Sequence, residues 1–128
     1  MKISLAEHRG FCYGVKRAVK MAEDCREMEK ARTLGPIIHN PQVVKKLEKD
    51  GIIMADSLSE INEGTVIIRS HGVGPTIYNE AKAKNLNIVD ATCPHVKKAQ
   101  MAAHKLLEEG YNIIIIGEEE HPEVQSIF

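Results

Sequence analysis

The sequence lacks several features that mark common protein classes. It has no tryptophan, three tyrosines and two phenylalanines in 128 residues, so it offers few platforms on which nucleic-acid bases could stack. Its 17 basic and 18 acidic side chains leave a net charge of −1, which argues against the clustered positive charge that nucleic-acid binding needs. Its longest apolar run, at 113–116, is too short to span a membrane, and no signal-peptide pattern opens the chain. We therefore expect a soluble, cytoplasmic protein that binds neither nucleic acid nor membrane.

Cysteine is scarce and odd in number. The three cysteines stand at positions 12, 25 and 93, which argues against a disulfide framework and favours free thiols, metal ligands or a nucleophile. Cys25 falls on the apolar stripe of a predicted helix together with Ala18 and Ala22. On that helix it lies roughly 20 Å along the axis from Cys12. We therefore predict that Cys25 belongs to the core and cannot share an ion with Cys12.

Strand-like and helix-like segments alternate along the chain. The predicted strands are 2–6, 33–38, 52–54, 65–69, 88–90 and 111–116. The predicted helices are 11–30, 41–50, 75–84 and 94–109, with a capping box at 57–60 and a further helix beginning at Pro122. This rhythm predicts an α/β fold with a mainly parallel sheet flanked by helices. The last strand is the most apolar and little covering helix follows it, which suggests a partial chain.

Five of the predicted strands lead into a cysteine, a histidine or a glutamate. In open α/β sheets, ligands bind outside the carboxyl ends of the strands, where helix N-termini also point. The residues that follow the strands in this way are Cys12, His39, His71, Cys93, His121 and Glu123. The sequence therefore predicts that these side chains share one edge of the sheet.

The residue types suggest two kinds of chemistry at this edge. Cys12 and Cys93 each begin a helix, where the helix dipole favours the thiolate, which suits a metal ligand or a nucleophile. The histidines lack the spacing of a zinc motif, so His39, His71 and His121 suit an anion such as a phosphate or a diphosphate better than zinc. The plainer alternatives are cysteines that fill gaps and histidines that hydrogen-bond within loops.

Glu123 follows His121 by two residues at the start of a predicted helix. A carboxyl group beside an anion site could deliver protons. Alternatively, its charge simply complements the helix dipole. His104 falls on a polar helix face and is predicted to be a surface residue, whereas His8 and His95 receive no role.

Five motifs resemble, in order and approximate spacing, the LytB family of 4-hydroxy-3-methylbut-2-enyl diphosphate reductases. The motifs are Arg9-Gly-Phe-Cys-Tyr-Gly-Val15, Leu34-Gly-Pro-Ile-Ile-His-Asn-Pro-Gln-Val-Val44, Arg69-Ser-His-Gly-Val73, Asp90-Ala-Thr-Cys-Pro-His-Val96 and His121-Pro-Glu-Val124. The resemblance implies three similar α/β domains around a central iron–sulfur cluster. On this reading, residues 1–93 form the first domain, with the loops of Cys12, His39, His71 and Cys93, and residues 94–128 begin a second, truncated domain.

The resemblance also implies an activity, namely the reductive dehydroxylation of 4-hydroxy-3-methylbut-2-enyl diphosphate to isopentenyl and dimethylallyl diphosphate in the non-mevalonate pathway. The implied ligands of a 4Fe–4S cluster are Cys12 and Cys93. The implied substrate-binding residues are His39, His71 and His121, and the implied proton donor is Glu123. A ferredoxin or a flavodoxin is the implied electron donor.

The family's third cluster cysteine has no counterpart in this chain, and the helix argument prevents Cys25 from replacing it. We therefore expect the 128 residues alone to be inactive. Three other readings stay open. They are a stand-alone domain that binds a phosphorylated ligand without metal, a zinc site of Cys12, Cys93 and one histidine, and a cluster shared between two chains.

Overall fold

The computed structural model describes residues 1–127. Its helices are α1 (Tyr13–Asp24), α2 (Pro41–Lys49), α3 (Pro75–Ala83), α4 (Pro94–Glu108) and α5 (Pro122–Gln125), and a 3-10 turn spans Leu58–Glu60. Its strands are β1 (Arg32–Leu34), β2 (Ile53–Ala55), β3 (Thr65–Ile68) and β4 (Asn87–Asp90). Among these residues, no helix is long and apolar enough to cross a membrane.

The four strands form one parallel sheet in the order β2-β1-β3-β4. Thr33 of β1 lies opposite Met54 on one side and Ile67 on the other. The chain first adds β2 to one side of β1 and then adds β3 and β4 to the other side, so its direction of growth reverses between β1 and β3. The predicted α/β fold with a parallel sheet flanked by helices is confirmed.

Apolar side chains cover both faces of this sheet. All four residues of β3 are buried, as expected for a central strand, and they alternate between the faces. The face that carries Ile67 packs against α1 and α2; its other buried members are Ala18, Ala22, Cys25, Ala31, Ile37, Ile38, Leu47, Ile52 and Ala91. The opposite face, with Val66 and Ile68, packs against α3 and the 3-10 turn; its other members are Leu34, Ala55, Leu58, Ile61, Ala81 and Leu86.

Local sequence explains where α2 and the 3-10 turn begin and end. The side chain of Asn40 caps α2, Pro41 occupies its first turn, and Gly51 follows it with a φ of +90°, a conformation that favours glycine. The capping box is also present, because the Glu60 carboxylate accepts a hydrogen bond from the Ser57 backbone N–H at 3.0 Å. Both predictions are confirmed.

Two predicted strands, 2–6 and 111–116, are wrong for this structure. Neither segment joins the sheet, and their apolar side chains are exposed, for example Leu5 at 77% and Ile116 at 96%. The apolar pattern shows that a segment can be buried, but a strand also needs a neighbour to bond its backbone N–H and C=O groups. Among residues 1–127, neither edge strand supplies that neighbour.

Two helix predictions also need correction. The helix predicted to reach residue 30 ends at Asp24, because Cys25 caps it and the chain turns before Lys30, whose φ is +46°. Phe11, the first residue of that predicted helix, precedes α1 and is 43% exposed. In α4 no residue is buried, although the apolar spacing of Val96, Ala99, Ala103, Leu106 and Leu107 predicts an inward face. No described strand pairs beyond β4 to extend the sheet beneath that helix.

Candidate functional site

The reversal between β1 and β3 creates a crevice at the carboxyl end of the sheet, and two histidines meet there. His39 follows β1 and His71 follows β3. Their ring centroids lie 4.4 Å apart with the planes tilted by 44°. In open α/β sheets this switch point is the usual ligand-binding position, because the neighbouring loops diverge there.

Hydrogen bonds hold the two histidine loops against each other. The Ser70 N–H donates to the Ile37 carbonyl at 3.1 Å, which joins the loop after β3 to the loop after β1. The Asn40 N–H donates to the Ile38 carbonyl at 2.8 Å, which shapes the backbone on either side of His39 immediately before α2. Each imidazole therefore extends from a fixed backbone.

His71 is half-buried and chemically unusual. Its Nδ1 atom is buried and has no hydrogen-bond partner among residues 1–127. Burial above all, together with the charges of His39, Arg69 and His121, lowers the pKa of His71 to about 4. The ring is thus neutral near pH 7, and a buried polar atom without a partner leaves capacity for a ligand.

His121 and Glu123 come to the same place from α5. The imidazoles of His71 and His121 lie edge to face, with centroids 6.5 Å apart. His121 caps α5, because its Nδ1 accepts a hydrogen bond from the Glu123 N–H at 3.2 Å. In the neutral ring, Nε2 then carries the proton and presents a donor. The exposed Glu123 carboxylate stands in the first turn of this helix.

A short hydrogen-bonded chain fixes α5 beside His71. The Gln100 Nε2 donates to the Ser126 Oγ at 2.8 Å, and that hydroxyl donates to the Glu123 carbonyl at 2.8 Å. Gly72 makes this approach possible, since a Cβ there would lie 2.6 Å from the Gln100 Nε2. The structure therefore brings all three predicted histidines together, with Glu123 on the adjoining helix.

Arg69 is a functional candidate that the sequence reasoning missed. Burial lowers its pKa, and its buried Nε atom has no hydrogen-bond partner in the part of the chain that is described. It lines a cavity of about 490 Å³ at this edge, which is also lined by Ser57 and by the carboxylate residues Asp56 and Glu80. A desolvated guanidinium without a carboxylate partner suits an anion. Its position, at the end of a buried strand and two residues before His71, was the available signal.

Cys93 lies against the first turn of α1, the helix that Cys12 caps. Cys12 caps α1 and is exposed, whereas Cys93 caps α4 and is partly buried. A Cβ on Gly14 would lie 2.5 Å from the Cys93 Sγ, so that thiol rests on the first turn of the helix that Cys12 caps. Both thiols are free, and both stand at helix N-termini.

Cys25 is a core residue, as predicted. It is 1% exposed, and its thiol donates to the Met21 carbonyl at 3.1 Å within the cluster of α1 and α2. Burial raises the pKa of this thiol, and the neighbouring Asp24 raises it further. Both effects oppose the thiolate that a metal ligand needs.

The loop before Cys93 is held by charged groups that the sequence reasoning also missed. The Asp90 carboxylate accepts from the Thr92 N–H at 3.0 Å, from the Thr92 hydroxyl at 2.5 Å and from the Lys97 Nζ at 2.5 Å. The Arg17 guanidinium donates to the Thr92 carbonyl at 3.1 Å. Burial alone would raise the pKa of Asp90, but the bonds from Lys97 and Thr92 hold it below its ordinary value.

These residues fit part of a cluster site. Two free thiols at helix N-termini, with a glycine leaving room beside one of them, match the donor chemistry of an iron–sulfur cluster. Within residues 1–127, however, no three histidine, cysteine or acidic side chains converge so that they could hold a metal ion. That finding gives no support to a zinc site built from the two cysteines and a histidine.

Comparison with known proteins extends over the whole chain. The profile of the family described as LytB protein matches residues 3–128. The 4-hydroxy-3-methylbut-2-enyl diphosphate reductase of Trichlorobacter lovleyi is 54% identical over 99% of this chain, and that of Geobacter metallireducens is 52% identical over 99%. A solved structure of the E-1-hydroxy-2-methyl-but-2-enyl-4-diphosphate reductase from Plasmodium falciparum is 38% identical, covers 94% of this chain and superposes with a TM-score of 0.89.

The length of the chain differs from that of these relatives. It spans 46% and 45% of the two bacterial proteins and 39% of the solved Plasmodium chain. A second solved reductase, described as the terminal enzyme of the non-mevalonate pathway, is 49% identical with a TM-score of 0.83, and the match covers 45% of it. Because the profile match runs almost from end to end, the chain belongs to the LytB protein family.

Proposed function

We propose that this chain is part of a 4-hydroxy-3-methylbut-2-enyl diphosphate reductase, the activity printed for its relatives. The observation that carries the proposal is the convergence of His39, His71 and His121 at the switch point of the sheet. Three imidazoles that are close enough to repel one another when protonated favour an anionic ligand between them. A diphosphate would supply that charge and also the acceptors for their N–H groups.

The binding step would use donors that are already in place. His121 offers its Nε2–H, and His71 offers a neutral ring whose buried Nδ1 lacks a partner within the described residues. The nearby Arg69 guanidinium adds a positive charge that burial leaves poorly hydrated. Such preorganised donors bind phosphate oxygens without large rearrangement.

The reaction breaks the carbon–oxygen bond of the substrate's hydroxyl group. It consumes two electrons and two protons and releases water together with isopentenyl or dimethylallyl diphosphate. We assign proton delivery to Glu123, which stands in the first turn of α5, two residues after His121.

We infer that Cys12 and Cys93 hold an iron–sulfur cluster, with a third ligand from outside residues 1–127. When bound, a 4Fe–4S cluster supplies the electrons for the reduction. We propose a ferredoxin or a flavodoxin as the electron donor. Free thiols at Cys12 and Cys93 agree with a reducing compartment, and we propose the cytoplasm as the location of the protein.

We also propose that residues 1–93 form one α/β domain and that residues 94–128 begin another. In support, every member of the two buried core clusters lies between Ala18 and Ala91. The later helix α4 buries none of its residues. The proposed boundary falls between Cys93 and Pro94, so α4 would belong to the second domain.

To test the proposal, the full gene product is reconstituted anaerobically with iron and sulfide, and iron content and turnover are measured on each variant. We expect Cys12→Ser and Cys93→Ser to lose most bound iron and Cys25→Ser to keep it. Glu123→Gln should keep its iron while turnover falls about 100-fold or more, the usual effect of removing a general acid.

The outcomes distinguish an iron–sulfur reductase from a phosphate-binding domain and from a zinc protein. Full iron content in both Cys12→Ser and Cys93→Ser would refute the assignment of these two cysteines as cluster ligands. An unaltered protein that takes up no iron would favour a metal-free phosphate-binding domain. Equal loss of iron and turnover in Glu123→Gln would make Glu123 a structural residue. Zinc in place of iron and sulfide would refute the reductase outright.

A further inference from the structure

We infer that Arg17 and Asp90 are positioning residues that fix the thiol of Cys93 against the start of α1. Through that contact they set the arrangement of the two cysteines that we propose as cluster ligands. The role of Arg17 and Asp90 in arranging cluster ligands rests on the proposed function. The contact itself does not, and it can be tested without any cluster.

Each backbone N–H in the loop between β4 and α4 donates a hydrogen bond. The Ala91 N–H donates to the Ile68 carbonyl at 3.1 Å, and the Cys93 N–H donates to the Ser70 carbonyl at 2.8 Å. Between them, the Thr92 N–H donates to the Asp90 carboxylate. The loop therefore follows the end of β3 and has little freedom of its own.

Thr92, the residue before Cys93, bonds to both Asp90 and Arg17. It is 3% exposed, and its three polar groups are all satisfied by two charged side chains. Asp90 accepts from its N–H and its hydroxyl, and Arg17 donates to its carbonyl at 3.1 Å. Lys97 donates to the second oxygen of Asp90 and so fixes the carboxylate. Hydrogen bonds to charged groups are roughly twice as strong as neutral ones, so the residue before Cys93 is tightly held.

Arg17 links this loop to the helix of the other cysteine. Gly14 and Arg17 are three residues apart, which places them on the same face of α1. Gly14 lies against the Cys93 Sγ, and Arg17 lies against the Thr92 carbonyl. One face of α1 thus contacts two consecutive residues of the loop, while Cys12 caps the same helix. Removing the guanidinium leaves the buried Thr92 carbonyl without a donor, and the loop can then move away from α1.

The test measures thiol exposure in the cluster-free full gene product. Each variant is treated with iodoacetamide, and the alkylation rates of Cys12, Cys25 and Cys93 are followed by peptide mass spectrometry. In Arg17→Met and Asp90→Ala we expect the rate at Cys93, relative to Cys12, to rise by about threefold or more, since a local restraint has been lost. Lys16 is an exposed neighbour on the same helix, so Lys16→Met should leave the ratio of the Cys93 rate to the Cys12 rate unchanged. Arg17→Lys keeps the positive charge and should raise this ratio less than Arg17→Met does.

Two results would overturn the inference. An unchanged Cys93 ratio in Arg17→Met would show that the guanidinium does not restrain the loop. A parallel rise at the buried Cys25 would show that the variant loosens the whole core, which is a structural role and not a positioning one.

A second measurement separates this inference from the proposed function. After reconstitution, the rate at which a chelator removes iron is compared between Arg17→Met, Lys16→Met and Cys93→Ser. If Cys93→Ser fails to bind iron and Arg17→Met releases it several-fold faster than Lys16→Met, both ideas are supported. If Cys93→Ser binds iron normally, the cluster assignment fails while the alkylation result stands. If Arg17→Met releases iron at the same rate as the unaltered protein, the positioning role is refuted and the cluster assignment is not affected.

Discussion

The surroundings of the His71 side chain disfavour its protonated form. Two imidazoles and a guanidinium surround its half-buried ring, and among residues 1–127 its Nδ1 finds no hydrogen-bond partner. Desolvation and like charge both oppose protonation, so the ring stays neutral over the physiological range. A cluster of this kind is stable when the rings are neutral or when an anion lies between them.

This arrangement predicts a pH dependence of folding. The pKa of His71 falls from 6.5 in the unfolded chain to about 4 in the fold, so between these values the unfolded state binds more protons. Stability should therefore decrease as pH falls from 6.5 towards 4, by at most about 1.4 kcal/mol per pH unit from this group and by less because it is partly exposed. Urea unfolding at several pH values measures the slope.

The matched variants are His71→Asn and His104→Asn. We expect the first to flatten the slope between pH 4 and 6.5. The second removes an exposed histidine on α4 and should leave the slope unchanged. An identical slope in His71→Asn and the unaltered protein would contradict the burial argument.

The ends of helices that carry a proline, a glycine or a capping residue were predictable from sequence. Whether an apolar segment joins the sheet was not predictable. The bounds of α2 followed from Pro41 and Gly51, which act through local backbone geometry. The segments 2–6 and 111–116 have equally clear apolar patterns, yet neither joins the sheet. Pairing depends on a neighbouring strand, which a local pattern cannot reveal.

The cap of α2 gives a prediction for that helix. Asn40 accepts hydrogen bonds from the Gln42 and Val43 N–H groups at 3.0 and 3.1 Å. Asn40→Ala should lower the free energy of unfolding by about 1 kcal/mol, the usual effect of losing such a cap. Asn40→Asp keeps an acceptor and should stay within about 0.5 kcal/mol of the parent, since aspartate caps as well as asparagine. Urea unfolding compares the two, and equal losses would mean that the side chain's acceptor contributes nothing.

For the molecule as a whole, the convergence of the three histidines was predictable from sequence, but the contacts that support the candidate site were not. The rule that ligands bind beyond the carboxyl ends of strands led to His39, His71 and Cys93. It could not reveal Arg17 or Asp90, because their importance comes from side chains that reach across to Thr92. Nor could it reveal Lys97, which bonds to Asp90 from α4.

The uncovered apolar segment gives a prediction about association. Ile114 and Ile116 are 87% and 96% exposed, so they contribute little to the stability of the fold described here. In the 128-residue chain, Ile114→Lys with Ile116→Lys should reduce self-association in light scattering and change the free energy of unfolding by less than about 0.5 kcal/mol. Ile67→Ala, in the core, should cost about 2–5 kcal/mol and serves as the comparison. A comparable loss in the lysine variant would mean that the segment is packed in solution.

The order of the strands has a consequence for how the protein acquires its site. Residues paired across the sheet are 21 to 34 positions apart in sequence, and closing such long loops makes parallel sheets slow to form. His39 and His71 come together only once β1 and β3 are aligned, so we expect the proposed anion site to form after these two strands have paired. An anion that bridges the two loops would then act as a template, holding the native alignment in a chain that is still folding.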